Sequence, residues 1–183
     1  MKRFVLLILL LAFIGKSYSQ SRLNAGIGYF GGNFTHPGVL LEFEIENYFT
    51  DDFSLPLRSN IGYIVTPDFN SLSLEIQKGF RKYFKSGLFV EQSLGLGMMA
   101  NFYKIESIWY YDQYLSVVRY RDGANLGFMP SATLGLGYNL THAKGTQNLI
   151  WFRPKVYWNF GVRGLNLPYA ALQLGYTYNL KTK

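Results

Sequence analysis

The sequence predicts an all-β fold, an eight-stranded antiparallel up-and-down barrel that spans a membrane. Eight segments alternate apolar and polar residues with a period of two, which is the periodicity of a β-strand. Aromatic residues make up 18% of the chain and charged residues only 16%, whereas a soluble domain averages about 25% charged residues. The chain has no cysteine, although its first residues indicate export, so an exported domain here must be held together by packing and hydrogen bonds alone.

Residues 1–19 are predicted to be a secretory signal peptide. Basic residues precede an uncharged apolar run at residues 4–14, and small residues precede a cleavage site between Ser19 and Gln20. An uncleaved membrane anchor would need about 20 apolar residues, and the run is much shorter. We therefore expect residues 20–183 to form a single barrel domain.

The first four predicted strands span residues 22–30, 38–47, 53–64 and 70–80. The first is recognised by small, uncharged residues on one face, and the third follows a Thr-Asp-Asp turn at residues 50–52. The second and fourth have the clearest apolar faces, comprising Val39, Leu41, Phe43, Ile45, Leu72, Leu74, Ile76 and Phe80.

The last four predicted strands span residues 87–103, 125–140, 149–160 and 168–180. The fifth and seventh have apolar faces, formed by Leu88, Val90, Leu94, Leu96, Met98, Phe102, Ile150, Phe152, Val156, Trp158 and Phe160. The sixth and eighth are recognised by a small, uncharged face, formed by Thr133, Gly135, Gly137, Asn139, Gln173, Gly175, Thr177 and Asn179.

The polar faces indicate which side of the barrel faces outward. A face exposed to water is normally rich in Lys, Glu and Asp, but these faces are mostly small and uncharged, which fits the inside of a narrow membrane barrel. Their few charged residues are expected to pair inside the lumen, because a lone buried charge is costly. The alternative is two like-charged stripes facing water. The predicted lumen ion-pair network comprises Glu42, Glu44, Glu46, Glu75 and Glu91 with Arg58, Arg153 and Lys155.

The connections between strands are predicted to alternate in length. Turns at residues 50–52, 85–87 and 141–148 would face the periplasm, and longer loops at residues 31–37, 66–69, 104–123 and 161–167 would face outward. Amphipathic aromatic rings prefer the membrane interface. The predicted periplasmic aromatic belt comprises Tyr48, Phe80, Tyr138, Tyr176 and Tyr178.

These features together resemble the outer-membrane β-barrel domain family of Gram-negative bacteria, in its small eight-stranded form. The resemblance rests on the signal peptide, the eight alternating segments, the Gly-X-Gly repeats at residues 95–97 and 135–137, and the final strand LQLGYTYNL at residues 172–180. It implies location in the cell outer membrane, contact with outer-membrane lipids, and handling by the barrel-assembly machinery during biogenesis. It does not specify an activity, because this fold hosts adhesins, anchors, enzymes and pores.

Residues with catalytic or metal-binding potential are few. His36 and His142 are the two histidines, and they fall in connections at opposite ends of the barrel. No HExxH, paired cysteine or GxSxG motif is present. We therefore expect no catalytic residues, no metal site and no cofactor. The formal net charge of +7 is not concentrated in a Lys/Arg run, so a nucleic-acid partner is not expected.

The segment 104–123 is predicted to be a projecting outer hairpin that turns near Asp112 and Gln113. An exposed, aromatic-rich strand edge binds another protein by strand addition or stacking. Alternatively, its aromatic residues only pack on neighbouring loops, or the segment adds two spanning strands and makes a barrel of ten. The candidate interaction residues are Trp109, Tyr110, Tyr111, Tyr114 and Tyr120.

The function predicted from these features is that of a barrel with a side-chain-filled lumen and a structural or surface-interaction role. One alternative is a small solute pore. A weaker alternative is a lipid-modifying enzyme, because some barrels of the family it resembles act on lipid A.

Overall fold

The computed structural model describes residues 20–32, 36–104, 109–112, 117–120, 124–140, 148–160 and 168–182. The predicted signal peptide, residues 1–19, lies outside them. The described residues form the strands β1 (Gln20–Gly31), β2 (Gly38–Tyr48), β3 (Phe53–Val65), β4 (Phe69–Tyr83), β5 (Leu88–Tyr103), β6 (Trp109–Asp112), β7 (Val117–Tyr120), β8 (Ala124–Asn139), β9 (Leu149–Trp158) and β10 (Pro168–Thr182).

Eight of these strands close into an antiparallel barrel in the order β1-β10-β9-β8-β5-β4-β3-β2. The first and last strands pair along their length, from Arg22 opposite Thr182 to Gly31 opposite Leu172, so the barrel has no open edge. Strands β6 and β7 form a separate two-stranded sheet. The eight-stranded fold is confirmed, and the ten-stranded alternative is wrong because β5 pairs directly with β8.

Side chains of the barrel strands alternate between an apolar outer surface and a polar inner one. Leu94, Leu134 and Ile76 face outward and are 72%, 64% and 63% exposed. Glu44 and Arg58 face inward and are buried. This is the reverse of a soluble barrel and the arrangement of a membrane-spanning one.

No helix in the described part of the chain has the length and apolarity needed to cross a membrane.

The turns at residues 49–52 and 84–87, both at the end of the barrel predicted to face the periplasm, are fully described and short. In the second, the amide of Gly87 donates to the carbonyl of Phe84 at 2.9 Å. Gly87 has a φ of 87°, in the left-handed region that favours glycine. The outer β3–β4 connection at residues 66–68 is equally compact, because Thr66 closes it with hydrogen bonds to the backbone of Phe69.

One boundary matters for the interior, because β4 runs three residues beyond its predicted end at Phe80. Tyr83 pairs with Phe89 of β5, and Lys82 pairs with both Phe53 and Val90. Backbone pairing with β3 and β5 therefore extends β4 to Tyr83. The alternation of side chains along this extended strand directs Arg81 into the lumen.

The barrel interior is layered along its axis. Near the outer end the apolar side chains of Phe30, Leu40, Ile64 and Met99 are buried beside the amides of Asn101 and Asn159. Charged residues fill the middle. At the periplasmic end the buried aromatic residues Tyr48, Tyr83, Phe89 and Trp151 surround the lower part of that charged layer.

Candidate functional site

The eight charged residues predicted to face the lumen all lie inside the barrel and are at most 5% exposed. Strand pairing places Glu44 of β2 directly opposite Arg58 of β3. The structure therefore brings the predicted set together and adds one member, Arg81. These nine charged residues form the lumen network, which comprises Glu42, Glu44, Glu46, Glu75, Glu91, Arg58, Arg81, Arg153 and Lys155.

Arg58 joins two carboxylates from different strands. Its Nε lies 2.9 Å from Oε2 of Glu44, and its Nη2 lies 2.7 Å from Oε2 of Glu91. Its Nη1 donates to Oε1 of Gln77 at 3.2 Å. Charge-assisted hydrogen bonds of this kind satisfy a buried guanidinium.

Arg81 is the member that the sequence analysis missed. It is fully buried, and its guanidinium carbon lies 4.8 Å from the ring centroid of Phe89. Three carboxylates surround it, with nitrogen–oxygen distances of 2.7 Å to Glu44, 2.9 Å to Glu46 and 2.8 Å to Glu91. The alternation of inward and outward residues along β4 could have predicted Arg81, because this residue lies on the same face as Glu75 and Gln77.

Arg153 and Lys155 of β9 complete the network from the opposite wall. Arg153 forms ion pairs with Glu42 and Glu91, and its guanidinium stacks 3.9 Å from the ring centroid of Trp151. Lys155 pairs with Glu75 at 2.6 Å.

Gln77 links the Lys155–Glu75 pair to the arginine cluster. Its Nε2 donates to Glu75 at 2.9 Å, while its Oε1 accepts from Arg58. All nine charged residues thus belong to one connected hydrogen-bonded structure. Connected and satisfied buried charges make such a network tolerable, whereas a partial network would be costly.

The glycines opposite the network leave room for it. A Cβ built on Gly135 would lie 2.5 Å from Cγ of Glu91, and one built on Gly95 would lie 2.5 Å from Oε1 of Glu75. Neither distance is compatible with ordinary packing. The lumen at these positions is filled by side chains from the facing strands.

The aromatic-belt prediction is wrong for Tyr48. Tyr48 is buried, since it shares the inward parity of Glu46, and its hydroxyl donates to Oε2 of Glu46 at 2.9 Å. Its ring stacks on that of Tyr83 with centroids 6.1 Å apart. The neighbouring residue Phe49 is exposed instead. The other predicted belt residues face outward, namely Phe80, Tyr138, Tyr176 and Tyr178.

Strands β6 and β7 lie within the predicted hairpin 104–123. Their backbones pair antiparallel, with Trp109 opposite Tyr120, Tyr110 opposite Arg119, and Tyr111 opposite Val118. The ladder ends at Asp112, where the sequence predicted the turn to begin. Tyr114 lies outside the described residues.

A cavity of about 430 Å³ opens at the outer end of the lumen. Aromatic and amide side chains line it, among them Tyr157, Tyr169, Asn101 and Asn159. The rings of Tyr157 and Tyr169 stack with centroids 5.5 Å apart. Below this cavity the lumen network begins at Lys155.

No group of three His, Asp or Glu side chains in the described ranges could hold a metal ion. His36 lies at the outer cavity, and His142 falls outside the described residues. The charged side chains that the structure brings together are bound to one another, so the arrangement can fill the lumen, and its four cations offset four of its five carboxylate charges.

The fold and its inverted polarity define a small membrane-spanning β-barrel of the outer-membrane type. No protein-family model matches the sequence, and no curated protein matches it. Among solved structures, the chain is similar to neisserial surface protein A, with a TM-score of 0.50 and 9% identity over 88% of this chain and 96% of that one.

Two further solved structures are similar at lower scores. The N-terminal β-barrel domain of Pseudomonas aeruginosa OprF is 17% identical over 90% of this chain and 100% of that one, with a TM-score of 0.43. The beta domain of the Bordetella autotransporter BrkA is 11% identical over 88% and 99% of the two chains, with a TM-score of 0.37. At these identities the likeness to neisserial surface protein A shows the fold alone.

Proposed function

We propose that this protein is an integral barrel of the cell outer membrane, exported with cleavage near Ser19-Gln20, that has a closed lumen and a structural or surface-interaction role. The observation that carries the proposal is the lumen network. A conducting barrel needs a continuous water-filled path, and here buried ion pairs occupy the middle of the narrow interior.

The number of strands supports a closed lumen. An eight-stranded barrel has an interior just wide enough for side chains, and this interior holds four large cationic side chains at its centre. Arg58, Arg81 and Arg153 each contact at least two carboxylates. Moving one of them aside would leave buried carboxylates unpaired, which is strongly unfavourable.

Planar-bilayer recording tests the closed lumen. The protein is reconstituted after a heat-dependent gel shift has shown that it is folded, and a protein-free bilayer is the control. We expect no steady openings. Steady, reproducible openings of the native protein would overturn the closed lumen and favour the small solute pore.

The interaction role is proposed to reside in the hairpin 104–123. Within the described residues, β6 and β7 pair only with each other, so each strand has a second backbone edge available for strand addition. Aromatic residues pair across the ladder at Trp109 and Tyr120. An extended segment of a surface protein is the kind of partner that this edge fits.

The hairpin proposal is tested by replacing residues 105–122 with a short Gly-Ser turn. Proteoliposomes carrying the native protein should bind a partner from the cell envelope that is lost with the shortened protein. A synthetic peptide of the native hairpin should compete for that partner. Equal binding by native and shortened barrels would place recognition elsewhere on the outer surface.

The proposal includes no catalytic role. Mass spectra of lipid A from cells with and without the protein are expected to be the same. A new lipid A species that depends on the protein would favour the lipid-modifying enzyme instead.

A further inference from the structure

The outward face of the barrel has one polar interruption. The central part of each described barrel strand comprises the residues at least four positions from either end. In these central parts, the outward polar side chains other than tyrosine are Ser59, Lys78 and Gln92. They lie on the adjacent strands β3, β4 and β5. The remaining outward positions in those central stretches are apolar, alanine, proline or tyrosine.

The strand register brings these three residues together. Lys78 lies opposite Leu57 on one side and Leu94 on the other. Ser59 is two positions from Leu57, and Gln92 is two positions from Leu94. Both are therefore diagonal neighbours of Lys78. Diagonal neighbours on one face are within reach of long side chains.

In the predicted orientation of the barrel, Lys78 lies near the periplasmic boundary of the membrane. The next outward residue toward the periplasm, Phe80, packs against Phe53 and Phe49 with ring centroids 5.3 and 6.1 Å apart. Aromatic clusters of this kind mark the membrane interface. A lysine side chain at this depth is long enough to extend its ammonium group to headgroup level.

Lys82 approaches the same level from the periplasmic side. It follows Phe80 on the outward face of β4, and its Nζ lies 5.2 Å from the ring centroid of Phe53 and 5.5 Å from that of Phe84. Lys78 and Lys82 therefore lie on either side of Phe80 on the outward face of β4.

The two lysines lack a carboxylate partner within the described chain. The glutamates of the described barrel strands face the lumen, and no described residue forms an ion pair with Lys78 or Lys82. The charge that complements this surface is an anion at headgroup level. In the periplasmic leaflet that anion is a phospholipid phosphate.

An apolar groove adjoins the cationic surface. It has a volume of about 660 Å³ and begins at Lys78, Phe80 and Gln92, then continues over β8 and β9 past Ala132 and Pro154. Small side chains form the bottom of the groove, and larger aliphatic side chains form its sides. A phosphate at the lysines would place an acyl chain of the same molecule against this groove.

We propose that the outer surface of β3–β5 binds an acidic phospholipid of the periplasmic leaflet, with its phosphate held by Lys78 and Lys82. Gln92, which lies opposite Phe80 between the two lysines, offers a further hydrogen-bonding group. This site is on the outside of the barrel and is independent of the lumen network and the outer hairpin.

Native mass spectrometry of the whole folded protein tests the site. The protein in detergent is titrated with phosphatidylglycerol or with phosphatidylcholine of the same acyl chains, and retained lipid is counted. We expect preferential retention of one phosphatidylglycerol, weakened about fivefold in Lys78→Gln, since each lysine near an anionic surface contributes on that scale. Lys85→Gln, in the exposed periplasmic turn, removes the same charge and should retain the lipid as the native protein does.

Three results would overturn the proposal. One is equal retention of the two lipids by the native protein. Another is unchanged phosphatidylglycerol retention in Lys78→Gln. The third is a native dimer that Lys78→Gln dissociates, which would assign the surface to a second copy of the chain. Lys78→Gln removes a charge from the lipid face and is expected to fold, and a heat-dependent gel shift verifies this.

Discussion

Arg81 lies where the lumen concentrates its negative charge. It is in contact with Glu44, Glu46 and Glu91 at once, and Arg58 shares two of these carboxylates. A single side chain therefore balances three carboxylates from two strands, because its planar guanidinium presents several donors in a fixed geometry that an ammonium cannot reproduce.

Replacing Arg81 by alanine should destabilise the barrel by about 3–5 kcal/mol, because it leaves buried carboxylates without their cation. Denaturant unfolding in lipid vesicles measures this change. Lys85→Ala removes the same charge from an exposed turn and should alter stability by less than about 0.5 kcal/mol. Similar losses for the two variants would contradict the role assigned to Arg81.

Tyr48 offers a second test at this scale, because its hydroxyl donates to Glu46 inside the barrel. Tyr48→Phe should lower stability by about 1.5–3 kcal/mol, the usual contribution of a hydrogen bond to a charged group. Tyr178→Phe is the matched control, since Tyr178 is 54% exposed on the outer face. A belt position for Tyr48 would instead give two equally mild variants.

The alternation of inward and outward side chains along each strand accounts for what the sequence could predict about the interior. Glu42, Glu44 and Arg58 were placed correctly because each lies within a clear alternating segment. Arg81 and Tyr48 were missed because each follows the predicted end of its strand. The predicted fourth strand ends at Phe80 and the predicted turn begins at Lys85, so the inward face of Arg81 becomes evident only from the pairing of Tyr83 with Phe89.

Among the elements, β4 shows why strand ends are harder to predict than strands. It pairs with β3 at Ser54–Arg81 and again at Leu57–Lys78. Pro56 of β3 lies between these two pairs and has no partner in β4. Proline has no N–H to donate to a ladder. The last stretch of β4 is therefore defined by contacts with β5 and the start of β3, and a single segment of sequence does not show those contacts.

The β6–β7 hairpin should be dispensable for folding. Since β5 pairs with β8 from Leu88–Tyr138 to Phe102–Ala124, the barrel closes without the hairpin strands. The variant with residues 105–122 replaced by a short Gly-Ser turn should keep its heat-dependent gel shift, and its free energy of unfolding should change by less than about 0.5 kcal/mol. A barrel that fails to close after this replacement would show that the hairpin belongs to the folding unit.

For the whole molecule, the informative property is the inversion of polarity between inside and outside. The sequence predicted it from the small, uncharged faces and the sparse, clustered charges. It could not predict which carboxylate meets which cation, since those contacts cross the lumen between strands far apart in the chain, as with Glu42 and Arg153. Closure of the sheet decides these partners.

A closed lumen that depends on side-chain volume should open when that volume is removed without changing net charge. The variant Glu44→Ala/Arg58→Ala/Arg81→Ala/Glu91→Ala removes two anions and two cations from the centre of the lumen network. It should show steady openings in planar bilayers, because the vacated polar space can fill with water. The variant Glu44→Gln/Arg58→Met/Arg81→Met/Glu91→Gln has the same net charge but retains most of the volume, and it should remain closed. If the alanine variant inserts with a normal gel shift and stays silent, the lumen network is not what closes the barrel, and the outer apolar layer around Phe30 and Met99 would be the next region to open.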